Sequence, residues 1–308
     1  KTSEKTLILE DGEKITYEKL LIATGGKPLV PKIEGSEKEG VFTFTTINDA
    51  ERLSEKIESS NAKSAVVIGA GLIGISVSEA LIKKGLKVTI VELQDKILSL
   101  ILDAKASELF EKIIKKAGVN IVTGQSVQKI IGKQYNENIV GGVSLTKGDQ
   151  IPCDLVILAI GVIPRTELLV GTPIKINRGI VVDETMQTNI LDVYASGDVA
   201  ESYDFILNQN RLLALWPLAM LQGQVAGYNM AGKKTIYRGG TNMSSLKYFG
   251  VPIVSVGLAN PKDDNTLEVL VNYDEKIGSY KKLVLKNNII IGMTIVNCIE
   301  RAGTIFYL

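Results

Sequence analysis

The sequence predicts an α/β fold: doubly wound units built on parallel sheet, followed by a smaller α+β region rich in strands. Three observations carry this. The stretch from Ser64 to Leu93, SAVVIGAGLIGISVSEALIKKGLKVTIVEL, reads as strand, glycine turn, helix and second strand. Apolar runs at 20–23, 155–160 and 193–196 each reach a glycine within two residues, as when a buried parallel strand delivers the chain to a sheet edge. From Thr235 onward the texture changes to strands separated by polar turns.

The central stretch holds the most information. Residues 65–68 form a short continuous apolar run with β-branched members, the pattern of a strand buried on both faces. Gly69, Ala70, Gly71, Leu72, Ile73 and Gly74 follow, then a helical stretch closed by Lys83, Lys84 and Gly85, basic residues and a glycine at the helix C-terminus. In a strand–GxGxxG–helix unit the first glycine permits the tight turn. The second lets backbone approach a pyrophosphate, and the third lets helix pack on strand. The second strand, 87–91, ends on Glu92, placed to accept hydrogen bonds from adenine ribose hydroxyls. Leu93, Gln94 and Asp95 follow, with no arginine to receive a 2′-phosphate, so the unit is expected to bind NAD rather than NADP.

With 308 residues, 45% hydrophobic and 22% charged, the chain is long enough for two domains or three small ones. Its formal charge of +1 offers no footprint for nucleic acid or an anionic membrane. The longest apolar runs, 155–164 and 212–221, are too short to span a bilayer, and a cytoplasmic, soluble protein is expected. Cys153 and Cys298 lie far apart without a CxxC pattern and read as small buried hydrophobes. The sequence has no histidine, so it can supply no Ser-His-Asp triad, histidine-ligated metal or histidine base. No metal site is expected, and chemistry here must rest on a bound cofactor.

Taken in order, the chain opens with runs at 5–10 and 14–16 flanking Asp11-Gly12, a hairpin signal. Strand 20–23 runs into Thr24, Gly25 and Gly26. Residues 48–57 read as a helix capped by Asn48 with Glu51 reaching back, Ala50, Leu53 and Ile57 sharing a face. After Glu92 a third helix is expected over 103–117, with Ala106, Leu109, Phe110, Ile113, Ile114 and Ala117 as its stripe. Strands follow at 119–123, 126–131 and 139–145, then strand 155–160 breaking at Gly161 and Pro164. Arg178 to Val182 leads to TNILDVYASGDVAE, in which strand 193–196 delivers Gly197 and Asp198 to a sheet edge. Trp216 and Pro217 open a helix, proline sitting where its missing N–H costs nothing, with Leu218, Leu221, Val225 and Tyr228 on one face. Strands at 251–256, 267–273, 280–285 and 289–296 complete the chain, the last two joined by an Asn287-Asn288 turn.

ATGG after YEKLLI, then GAGLIG, then AIGVIP, then ASGDVA, in that order, resembles the pyridine nucleotide-disulfide oxidoreductase superfamily, flavoproteins with two dinucleotide-binding domains. The resemblance covers essentially the whole chain. It implies two three-layer Rossmann-like domains: an incomplete FAD domain over 1–46 and 165–234, and an NAD domain over 47–164. A C-terminal α+β interface or dimerisation domain, ending unfinished, would occupy 235–308. By the same resemblance Thr24 and Gly25 contact FAD, Gly161 lies against the nucleotide, and Asp198 hydrogen-bonds the ribityl chain. The helix opening at Trp216 and Pro217 would point its positive end at the flavin.

Two departures stand out. Superfamily members begin with an FAD-binding βαβ unit, and none precedes Lys1, so this chain alone is expected to hold flavin poorly and to be inactive. Many also carry Ile-Gly-x-Glu with the glutamate near the nicotinamide, where this chain has Ser76. Without histidine the chain also lacks the His-Glu pair of the disulfide-reductase branch. The resemblance is nearest to NADH oxidases, rubredoxin reductases and the flavin portion of nitrite reductases. It implies hydride transfer from NADH to FAD and onward to an acceptor protein or small molecule, with a homodimer plausible in the intact protein. The alternative is an NADH-binding regulatory or scaffolding module without turnover.

Overall fold

The computed structural model describes residues 4–261 and 264–306. Lys1 and Leu308, the ends of the expected first and last regions, lie outside them. The chain forms two compact units, one of Lys1–Lys27 with Ile163–Met243 and one of Pro28–Val162 with Ser244–Leu308.

The second unit is built on a five-stranded parallel sheet. Its strands lie in the spatial order Val41–Thr43, Leu155–Leu158, Ser64–Ile68, Lys87–Glu92, Val119–Thr123. Leu155, Val156 and Ile157 are fully buried, as expected of strands covered on both faces. On one side lie helices α1 (Ile47–Ser60), α2 (Leu72–Lys83) and α3 (Ala104–Lys116), whose Ile57, Ile75 and Phe110 join one core. On the other, an antiparallel sheet of Val127–Lys133, Asn136–Leu145 and Gln150–Pro152 packs Ile130, Val140 and Val143 against Val66 and Leu158. The result is three layers.

Helix α1 starts two residues earlier than its sequence suggests. Thr46, in extended backbone, is the N-cap rather than Asn48, and Asp49 rather than Glu51 closes the capping box. The Asp49 carboxylate also accepts from the Thr45 amide at 2.9 Å, a second donor that Glu51 would not meet in this register. In α3 the expected stripe holds at Ala106, Leu109, Phe110 and Ile114, while Ala117 forms the exposed C-cap.

The C-terminal part of the unit is a five-stranded antiparallel sheet ordered Met243–Tyr248, Val251–Gly257, Ile289–Val296, Ser279–Lys286, Leu267–Asp274. The first strand escapes the sequence pattern because it alternates half-buried and exposed residues, with polar side chains among the half-buried ones. Asn287 and Asn288 both take positive φ, 51° and 62°, as a two-residue hairpin turn requires. This sheet packs on the helical layer: Ile253, Tyr280 and Val296 belong to the same core as Phe110.

At that junction Asp103, the N-cap of α3, accepts from the Ala106 amide at 3.0 Å, from Lys282 Nζ at 2.5 Å and from the Tyr280 hydroxyl. Lys282 is only 4% exposed. Burial pushes the Asp103 carboxyl up, but the Ala106 amide, Lys282 and Tyr280 together outweigh it and hold the group below the ordinary 3.8.

The first unit contains the expected hairpin, Thr6–Ile8 with Lys14–Thr16, and the parallel pair Leu20–Ile22 with Val193–Ala195. A three-stranded sheet of Ile180–Val181, Ala200–Asp204 and Gln209–Leu212 and the helix α4 (Trp216–Met230) complete it. Ile22, Ile180, Met186, Ala195 and Ala226 form its core. Among the described residues no helix is long and apolar enough to cross a membrane.

Cys153 is buried as expected, while Cys298 is only half-buried, sitting in a positive-φ turn just past the last strand of the C-terminal sheet. Burial, and then the neighbouring Asp154, push the Cys153 thiol up to about 12. Native protein treated with iodoacetamide at about pH 8 is therefore expected to label Cys298 alone, Cys153 reacting only after denaturation. Mass spectrometry that finds Cys153 alkylated in folded protein contradicts this.

A second expectation concerns Asp103→Asn, which preserves a good helix cap but strips Lys282 of its counter-ion. It should cost about 3 kcal/mol at neutral pH. Because the folded-state pKa is depressed, the wild-type advantage is present above the unfolded value and fades as pH falls below about 4. Urea unfolding of both proteins across that range tests it, and a pH-independent difference refutes it.

Candidate functional site: two glycine-lined sheet edges

Each of the three motif glycines has its own reason to be glycine. Gly69 follows the Ser64–Ile68 strand with φ +105°, and a Cβ there would lie 2.6 Å from the Ala159 carbonyl oxygen at the end of the neighbouring strand. In α2, a Cβ on Gly74 would run into the Gly69 carbonyl oxygen. These two are required by the protein's own packing. Gly71 is different: its φ is −77°, open to any residue, and a Cβ would meet nothing within 4 Å. Nothing among the described residues demands glycine there, so the bare backbone faces open space at the N-terminus of α2. Gly71 is the N-cap and no side chain caps the first turn, which leaves the amides of Leu72, Ile73 and Gly74 available to an anion.

Strand register gathers the other predicted residues of this unit onto the same edge. Ile68 lies opposite Val91 on one side and Leu158 on the other, so Gly69, Glu92 and Gly161 all sit at or just beyond C-terminal strand ends. Glu92 Oε2 accepts from the Ala70 amide at 2.7 Å and Oε1 from the Gln94 amide at 2.8 Å. Two backbone donors thus fix the carboxylate while each oxygen keeps a free lone pair. Gly161 takes φ +116° with open space where a side chain would be, and its carbonyl accepts from the Leu29 amide at 2.9 Å. Beyond Glu92, Lys96 pairs with Asp95 at 3.6 Å. Ser76 lies beside the half-buried Tyr248 phenol of the C-terminal sheet, whose pKa burial raises.

In the first unit, the parallel pairing of Ile22 with Ala195 brings the ends of two more glycine motifs side by side. The Thr24 hydroxyl donates to the Arg165 carbonyl at 2.7 Å, and the Arg165 amide donates back to the Gly25 carbonyl at 2.9 Å. Gly25 and Gly197 both take positive φ, 68° and 77°, with no contact closer than 3.7 Å where a Cβ would be. Asp198 is partly buried, its pKa raised by that burial alone, and it makes no hydrogen bond or ion pair among the described residues. A desolvated acceptor of this kind suits hydroxyl donors from a ligand.

Sequence reasoning missed Gln222. Its side chain, 1% exposed, accepts from the Gly197 amide at 2.8 Å and donates to Ser202 Oγ at 2.9 Å, locking the loop that carries Asp198. The signal was present: a glutamine placed one turn after Leu218 and one before Ala226. The expected apolar face of α4 is corrected accordingly. Leu221 and Tyr228 are 49% and 48% exposed, and Gln222, Val225 and Ala226 form the buried face instead. The hydrogen bonds of Gln222 and Asn229, the latter reaching the carbonyls of Thr185 and Thr235, set the helix rotation against the hydrophobic pattern. Trp216, 79% exposed, and Pro217 open the helix at an N-terminus without a side-chain cap.

Residues 1–223 match the family described as pyridine nucleotide-disulphide oxidoreductase, and residues 243–305 match the rubredoxin NAD+ reductase C-terminal domain. The chain belongs to the pyridine nucleotide-disulphide oxidoreductase family. Within the family it is 35% identical to the NADH-dependent phenylglyoxylate dehydrogenase subunit epsilon of Aromatoleum evansii, over 91% of this chain and 65% of that protein. It is 33% identical to the nitrite reductase [NAD(P)H] of Bacillus subtilis, over 94% of this chain and 34% of that protein. The chain therefore spans between about a third and two thirds of these relatives. Among solved structures, the NAD-dependent persulfide reductase from A. fulgidus superposes with a TM-score of 0.88 at 29% identity, over 99% of this chain and 59% of that one. The water-forming NADH oxidase from Lactobacillus brevis bound to NADH gives 0.88 at 27% identity, over 99% and 71%.

The glycine geometry separates two family positions experimentally. Gly74→Ala should lose about 2–4 kcal/mol of stability through the clash with Gly69, whereas Gly71→Ala should lose under about 1 kcal/mol. Equal losses in a thermal or urea melt would contradict the assignment.

Proposed function

We propose that this chain forms the electron-transfer body of an NADH-dependent, FAD-containing oxidoreductase. The observation that carries the proposal is Gly71: a glycine that no contact among the described residues requires, at a helix N-terminus without a side-chain cap, sharing a sheet edge with Glu92. That combination suits a dinucleotide whose pyrophosphate rests on the first turn of α2 and whose adenine ribose hydroxyls donate to Glu92. The free lone pairs on both Glu92 oxygens match two such hydroxyls, and the carboxylate would repel a 2′-phosphate, which favours NADH over NADPH. Gly161 supplies a second bare stretch of backbone on the same edge.

The residues of the first unit fit FAD on the same physical grounds. Asp198, desolvated and without a donor among the described residues, would accept from a ribityl hydroxyl, while Gly25 and Gly197 beside Thr24 offer backbone without obstructing side chains. Trp216 and Pro217 stand where the positive end of the α4 dipole favours developing negative charge. When bound, FAD supplies the two-electron chemistry that accepts hydride from nicotinamide. With no histidine in the chain, its residues contribute binding, orientation and electrostatics, and the site residues are proposed in those roles alone. Relatives named as nitrite reductase, persulfide reductase and NADH oxidase support an onward acceptor as the second half of the reaction.

Anaerobic addition of NADH to the full-length flavoprotein should bleach the visible flavin absorbance. Gly71→Ala should raise the NADH concentration for half-maximal bleaching about tenfold. Bound FAD that stays oxidised under excess NADH would end the proposal.

A further inference from the structure

The glycine loop is held by a segment that the nucleotide motif does not include. Between Glu92 and α3 the chain passes through Leu98, a 2% exposed residue in left-handed backbone with φ 49°. Its amide donates to the Ala70 carbonyl at 2.9 Å, while the Ala70 amide donates to Glu92. The peptides flanking Ala70, in the middle of the Gly69-Ala70-Gly71 turn, are thus gripped on both sides. The Leu98 carbonyl in turn accepts from the amides of Ile101 and Leu102, each at 2.9 Å, which makes 98–102 a single tight turn.

That turn is not satisfied from within its own layer. Asn260, from the loop after the Val251–Gly257 strand, donates its amide group to the carbonyls of Ser99 at 2.9 Å and Leu102 at 2.8 Å. Ser255, 4% exposed on that strand, donates to the Ile101 carbonyl at 3.2 Å. Lys282 donates to Asn260 Oδ1 at 3.3 Å, fixing which way the amide group faces. Three carbonyls of the turn, those of Ser99, Ile101 and Leu102, therefore depend on side chains of the C-terminal region. A left-handed leucine costs about 1 kcal/mol or more and persists where its surroundings enforce it.

We propose that Asn260 is a positioning residue for NADH: through the 98–102 turn it sets the Leu98 amide, and through that amide the Ala70 peptide on which the dinucleotide pyrophosphate approach depends. The proposal rests on the NADH reading of the glycine loop. It gives the C-terminal sheet a direct part in nucleotide affinity, transmitted by main-chain hydrogen bonds and without contact between that sheet and the ligand.

The test compares three variants of the chain that keep cooperative thermal unfolding: Asn260→Leu, similar in volume but without donors; Ser255→Ala; and Asn297→Asp as a control. Asn297 donates to the Ile277 carbonyl at 3.1 Å elsewhere in the same sheet. Calorimetric titration with NADH and hydrogen–deuterium exchange of the amides of 69–72 are read for each. Asn260→Leu should weaken NADH about fivefold and speed exchange at 69–72 by a similar factor. Ser255→Ala should move both in the same direction by less, and Asn297→Asp should move neither. Asn260→Leu values indistinguishable from those of Asn297→Asp overturn the proposal. If Asn260→Leu does not fold, the same comparison is decided by Ser255→Ala. Should wild-type protein bind no NADH, the nucleotide reading fails by itself, and exchange at 69–72 still decides whether the turn governs the loop.

Discussion

Backbone packed against backbone is the constraint on which the nucleotide-type site depends. The carbonyl of Gly69 lies so close to Gly74 that no side chain fits between them, and Gly69 in turn lies against the Ala159 carbonyl of the next strand. Helix α2 is thereby seated on the sheet edge at a distance that only glycine permits. Its first-turn amides and Glu92 then face the same side without further adjustment. Removing side chains from two positions fixes geometry, and removing one from Gly71 leaves room.

The layers around the sheet translate that local constraint into a rigid frame. Parallel strands buried on both faces, with helices on one side and an antiparallel sheet on the other, leave their C-terminal ends as the place where side chains and backbone are free to act. The first unit repeats the device on a smaller scale. Paired strand ends carry Gly25 and Gly197, and a buried glutamine from α4 fixes the loop in place of a helix packed by glycine. Both edges offer backbone amides, open glycines and one carboxylate, a chemistry suited to phosphates and sugar hydroxyls.

Much of this could be read without coordinates because it rests on local rules. A β-branched run, three spaced glycines and an acid at the next strand's end specify a unit whose contacts lie within about thirty residues. The asparagine turn at Asn287-Asn288 and the Asp11-Gly12 hairpin are equally local, since positive φ selects the residue type. The start of α1 was misplaced because Thr46 and Asn48 are both good caps, and the choice fell to an additional backbone donor at Thr45.

The sequence by itself determined the family's order of motifs, the parallel-sheet core and the acid that marks the nucleotide edge, because each follows from steric and hydrogen-bonding preferences of neighbouring residues. Only the tertiary structure decided which face of α4 is buried, that Gln222 holds Gly197, and that Asn260 and Ser255 reach across to the turn beside Ala70. Those contacts join residues twenty-five to well over a hundred positions apart. No periodicity encodes them, since a polar side chain finds its partner only once packing has brought the two segments together.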